Sequence, residues 1–177
     1  KHINVSLYKL NTRQLECNQM KKLLLSGFLL FSLIGAAMNE SRNYSIVPVD
    51  GIEVSENWTE YTTVDGIKIE YKMTLCGGEK MRAQNQLLFR FTNTTDQELT
   101  ISWITKEFRN GECWNCNRLD NPEYAHSLTI AGGQVLAGDG TSQENNDLFI
   151  FGNFIIHVHG MTEQTLTNFE FADLSVR

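Results

Sequence analysis

Helical periodicity, proline and familiar catalytic signatures are what this chain has least of. No stretch sustains apolar residues at i, i+3, i+4 and i+7, so little helix is expected. Only Pro48 and Pro122 occur in 177 residues, which excludes a linker-rich or low-complexity protein. There is no nucleophile elbow, phosphate loop or HExxH helix, and the balance falls against an enzyme. No internal repeat is present.

Basic charge is also scarce, and unevenly placed. The net charge is −6, yet residues 1–37 carry five Lys/Arg and a single acid, Glu16. The remaining residues hold 10 basic and 20 acidic side chains. So acidic a domain repels phosphate backbones and anionic headgroups, so neither nucleic acid nor a membrane surface is an expected partner. The same charge keeps an exported domain soluble.

What is present begins with an export signature. Met20-Lys21-Lys22 precedes an apolar run, Leu23 to Ala37, that ends in small residues. A basic start, an apolar core and a small-residue exit are the parts of a secretory signal peptide. Gly35 and Ala37 suit the positions before a cut, expected after Ala37. The run is 15 residues long, short of the roughly 20 a membrane span needs. No cysteine follows to take a lipid. Residues 1–19 read as an over-extended gene start, 20–37 as the signal peptide, 38–60 as a polar lead-in with an edge strand, and 61–177 as the folded domain. The expected location is periplasmic or extracellular, with no membrane insertion after cleavage.

The folded part alternates with a period of two. Ile67, Ile69, Tyr71, Met73 and Leu75 interleave with Lys68, Glu70, Lys72 and Thr74, and Asp65-Gly66 before them is a turn signal. Leu87, Phe89 and Phe91 repeat the pattern, as do Leu99, Ile101 and Trp103. With Asn93-Thr94-Thr95-Asp96 between them, these two predict a hairpin with a longer loop. Further strands are expected in 44–47, where Pro48 marks an edge, and in 127–130, 134–137, 148–159 and 168–176. Seven or eight short strands predict an all-β fold, an antiparallel two-sheet sandwich of immunoglobulin-like general architecture. Phe89, Phe91, Trp103, Phe149, Phe151, Phe154, Phe169 and Phe171 are its candidate core aromatics.

Chemistry could reside in three places. Cys113-Trp114-Asn115-Cys116 is a CxxC. In an oxidising compartment it is expected to close as a local disulfide. A redox pair would want a helix N-terminus, and a zinc ribbon a second CxxC, and the flanks offer neither. Cys76 is left over, its state open. His157-Val158-His159 would put two imidazoles on one strand face, with His126 as a candidate third ligand for Zn²⁺ or Cu²⁺. A pair of surface histidines at a strand end is the plainer account, and no cofactor is expected. Asp139 to Asp147 is an oxygen-rich loop without the spacing of a calcium site. Trp58 and Trp114 are candidate surface contacts for a ligand. Asn39, Asn43, Asn57 and Asn93 begin glycosylation sequons, discounted because the Met-Lys-Lys start looks bacterial.

The run Gly66-Ile67-Lys68-Ile69-Glu70-Tyr71, then Cys76, Leu88 to Thr95, Ile101-Ser102-Trp103 and Cys113 to Cys116, resembles a family of small exported proteins from flavobacteria-like bacteria with no known activity. The resemblance spans most of residues 65–177. It implies export and the fold class, and it carries no activity. It also implies a further cysteine near positions 138–142 in some relatives. This chain has Gly138 to Ser142 there, which puts a second disulfide from Cys76 in doubt. The expectation overall is a non-catalytic binding or structural module for an unknown protein or glycan. The alternative is a metal-binding or thiol-redox envelope protein.

Overall fold

Alternation of apolar and polar residues makes each strand two-faced, and two such sheets bury their apolar faces only against one another. In the computed structural model, which describes residues 46–49, 54–78, 81–140, 143–156, 159–160 and 162–177, this is the arrangement adopted. The segments read as gene start and signal peptide lie outside the described residues. The strands are β1 (Val47–Pro48), β2 (Thr59–Val64), β3 (Ile67–Gly78), β4 (Met81–Asn93), β5 (Leu99–Arg109), β6 (Glu112–Cys113), β7 (Ala125–Ile130), β8 (Val135–Ala137), β9 (Phe149–Phe154) and β10 (Leu166–Val176). All pairings are antiparallel. One five-stranded sheet runs β1-β10-β5, with β6 and β7 sharing the far edge of β5. The other runs β2-β3-β4, with β8 and β9 sharing the far edge of β4. The expected all-β sandwich is what the chain forms. Helix among the described residues is limited to two short 3₁₀ segments.

Strand β2 begins inside the segment read as lead-in and forms a tight hairpin with β3. Its turn residues, Asp65 (φ 43°) and Gly66 (φ 88°), both have left-handed backbone, as a two-residue turn of matching twist requires. Pro48 lies on the short edge strand β1.

The expected hairpin of β4 with β5 does not form. The two strands lie in opposite sheets, and the 94–98 connection arches between them. Asn93 braces this arch. Its buried side chain donates to Gln97 O (2.7 Å) and to Ile130 O (2.9 Å), and accepts from Thr95 N (2.9 Å). Ile130 ends β7, and β7 to β8 is a second crossing between sheets. Asn93 N also donates to Gln134 O (3.0 Å), and Gly133 N to Thr95 O (2.9 Å). One carboxamide therefore ties both arches together. Being 1 % exposed, Asn93 is also closed to glycosylation.

The core lies between the sheets. Phe169 and Phe171 of β10 meet Phe89 of β4 at 5.2 and 4.9 Å between ring centroids. Phe91 stacks on Trp103 at 4.9 Å. Phe149, Phe151 and Phe154, also expected in the core, are half-buried and lie outside it. Their register explains this: Phe149 and Phe151 pair with Leu88 and Gln86, whose side chains face away from the opposite sheet. That outer face is partly covered too. Leu88, Gln86 and Cys76 are 3 %, 1 % and 0 % exposed there. A Cβ on Gly140 would meet Gln86 and come within 2.7 Å of Cys76 Sγ, so the 138–140 backbone lies directly over them.

Phe171 contacts both halves of the aromatic cluster, so Phe171→Ala leaves a cavity between the sheets. It is expected to lower unfolding free energy by about 3–5 kcal/mol, read from urea denaturation. The equivalent change at Phe149 is expected to cost clearly less.

Candidate functional site

Strand β5 poses a hydrogen-bonding problem, and its solution builds the site. Along one edge, β7 pairs with β5 only as far as Ile104↔Ala125. On the same edge β6 starts at Phe108↔Cys113. The backbone of Thr105 to Glu107 would be left bare between them, and buried peptide groups are costly unpaired. Asn115 fills the gap. Its Nδ2 donates to Thr105 O (2.8 Å) and its Oδ1 accepts from Glu107 N (3.0 Å), while Trp114 N donates to Glu107 O (2.8 Å). The carboxamide acts as a missing strand residue and is 0 % exposed.

Cys113 and Cys116 flank this plug at disulfide-bonding distance, with Cα atoms 5.6 Å apart. The bridge closes the loop around Asn115 and turns Trp114 outward, where it is 48 % exposed. No α-helix starts at the CxxC. Instead, three successive i→i+3 bonds wind the chain onward: Arg118 N to Asn115 O (2.9 Å), Asn121 N to Arg118 O (2.9 Å) and Tyr124 N to Asn121 O (3.1 Å). Asn121 caps the last turn by accepting from Glu123 N, and Pro122 starts it. The winding brings Arg118 between two rings, its guanidinium carbon 5.8 Å from the centroid of Trp114 and 6.0 Å from that of Tyr124. Arg118 also donates to Trp114 O (3.4 Å).

Trp58, the other candidate contact, is half-buried and already occupied. Arg90 and Lys72 lie over its ring at 4.7 and 5.0 Å. Beneath them Glu70, 5 % exposed, accepts from Arg90 Nε (2.7 Å) and pairs with Lys68 Nζ (3.0 Å). The Arg90 hydrogen bond, helped by Lys68, holds the Glu70 carboxyl below its ordinary value, although burial pulls the other way. Trp58 thus roofs a charged network on the outer face of the β2-β3-β4 sheet.

His126 stacks on Trp103 at 5.2 Å, and its Nδ1 lies 2.7 Å from Asp147 Oδ1. This contact joins β7 of one sheet to the segment before β9 of the other. His159 is exposed, and His157 lies outside the described residues. Among the described residues, no group of three or more His, Cys, Asp or Glu is placed to hold a metal ion. Cys76 is buried and enters no disulfide among those residues. None of their helices is long and apolar enough to cross a membrane.

Sequence reasoning singled out Trp114 and the cysteines and missed Asn115, Arg118 and Tyr124. Asn115 reads as an ordinary turn residue until the gap in the β5 edge is known. Arg118 and Tyr124 meet only because the intervening turns are wound. Comparison of the chain with protein-family models, curated proteins and solved structures finds no match.

Two outcomes follow from these contacts. Asn115→Ala leaves an N–H and a C=O of β5 unpaired and is expected to cost about 1–3 kcal/mol, read as a lowered Tm. Asn115→Asp keeps the acceptor but loses the donor and buries a charge, so it is expected to be no better. For Glu70, a folded-state pKa below the ordinary 4.5 contributes stability that is present above that value. The contribution is lost as pH falls from there through the depressed pKa. Glu70→Gln should therefore flatten the acid limb of a Tm-against-pH curve below about pH 4.5; an unchanged limb would show the network to be inert.

Proposed function

We propose that the chain is an exported, non-catalytic binding module whose ligand seat is the Trp114 loop. The observation that carries this is an indole held half-exposed on a loop anchored by a buried carboxamide and a bridging cysteine pair. Fixing an exposed indole in advance lowers the entropy lost on binding. The acidic balance, the export signature and the resemblance to exported flavobacterial proteins support a periplasmic or extracellular setting. The bridging cysteines fit an oxidising compartment. The ligand is a protein or a glycan. The metal-binding and thiol-redox alternative has no comparable observation behind it, since His126 already faces Asp147 and no α-helix starts at the CxxC.

The test uses protein secreted from cells expressing the full gene. Its denatured mass is expected to begin at Met38. On a panel of immobilised polysaccharides and envelope proteins, Trp114→Ala should weaken retention at least 10-fold, about 1.4 kcal/mol, whereas Trp58→Ala should not. Equal retention by wild type and Trp114→Ala, or stoichiometric zinc or copper in the native mass, would overturn the reading.

A further inference from the structure

Among the described Lys and Arg side chains, Arg118 and the terminal Arg177 make no ion pair with a carboxylate. Lys68, Lys72, Arg90, Lys106 and Arg109 each pair with a carboxylate. Arg109 is the most committed: it also donates to the backbone carbonyls of Phe151 and Gln164 at 3.0 and 2.9 Å. Arg118, in a protein of net charge −6, has no carboxylate partner among the described residues. Its neighbours are two aromatic rings and one peptide oxygen. The rings limit its swing, and one long hydrogen bond leaves most of a five-donor fork open to solvent. A fork so presented matches a carboxylate in bidentate geometry.

The surroundings say what should carry that carboxylate. The exposed aromatic surface here is one indole with a half-buried phenol beyond the guanidinium, on a segment that also carries Glu112, Asn117, Asp120 and Glu123. A standard protein interface buries about 800 Å² per partner around an apolar centre, whereas the large apolar side chain exposed on this loop is one indole. The acids of the segment oppose a dense polyanion such as nucleic acid. A sugar ring is the right width: its C–H face packs on an indole, and a single carboxylate on it meets the fork.

From this geometry we propose that the Trp114 site takes an oligosaccharide bearing a uronic acid, with a pyranose face on Trp114 and the uronate carboxylate on Arg118. This rests on the Trp114 loop being the binding seat. It adds the ligand's chemical class and makes Arg118 the residue that selects it.

The probes are a xylo-oligosaccharide carrying one glucuronic acid and neutral xylotetraose, titrated calorimetrically into the mature protein. The glucuronylated sugar should bind at least 10-fold more tightly than the neutral one. Arg118→Met, which keeps the stem and removes the charge, should erase that difference. Trp114→Ala should weaken both sugars. Both side chains lie at the surface, so unchanged circular dichroism and Tm will show that the variants fold. Equal affinity for the two sugars, unaffected by Arg118→Met, would overturn the charge selection while leaving the site standing. No binding of either sugar would overturn the carbohydrate assignment. So would displacement of the bound sugar by a glutamate-containing peptide at equal concentration, which would point to a protein ligand. Trp114-independent binding would sink the site itself.

Discussion

The edge of β5 between Ile104 and Phe108 is the constraint on which this end of the molecule depends. Two short strands share that edge and leave Thr105 to Glu107 unpaired between them. Burying those peptide groups bare would cost more than most single contacts contribute. Asn115 answers with a side chain whose donor and acceptor are spaced as in a peptide. Once that carboxamide must lie in the ladder, residue 114 next to it must point away. The outward indole is a consequence of the plug, and the cysteine bridge keeps the plug seated by narrowing the alternatives open to the loop. Positioning of the ring therefore comes from backbone hydrogen bonding, which is stiffer than packing of one ring on a surface.

A second carboxamide performs the same service at a crossing between sheets. Asn93 binds the 94–97 arch to the end of β7 and so couples the β4–β5 crossing to the β7–β8 crossing. In both cases a short amide side chain replaces backbone pairing where the sheet pattern breaks. The sandwich is held by its aromatic layer, while Asn93 braces two of its crossings and Asn115 completes one of its edges. Neither is apolar, and both are nearly inaccessible to water.

This division explains what the sequence disclosed. Alternation of the kind in Ile67 to Leu75 is a property of each strand alone, so the all-β class and most strand positions were legible. Whether β4 pairs with β5 or crosses away from it is decided by tertiary contacts of Asn93, and the Asn-Thr-Thr-Asp signal is the same for both outcomes. The misplaced core aromatics have a related cause. Phe149, Phe151 and Phe154 look like core residues because they are aromatic and on a strand, yet register puts them on the outer face. Burial there comes from the 138–140 backbone and Trp58, which no periodicity announces.

At the candidate site the legible part was the residue that needs least context. An exposed tryptophan between two cysteines is conspicuous, but its partners are defined by three linked turns whose hydrogen bonds depend on Asn115 being fixed first. Arg118 gains its meaning only by contrast, once Lys68, Lys72, Arg90, Lys106 and Arg109 are seen to be paired. The chemistry of the site is then a matter of subtraction. Where five of the described cations are matched internally, one that lies against two rings and is left unmatched is where an outside carboxylate meets little competition.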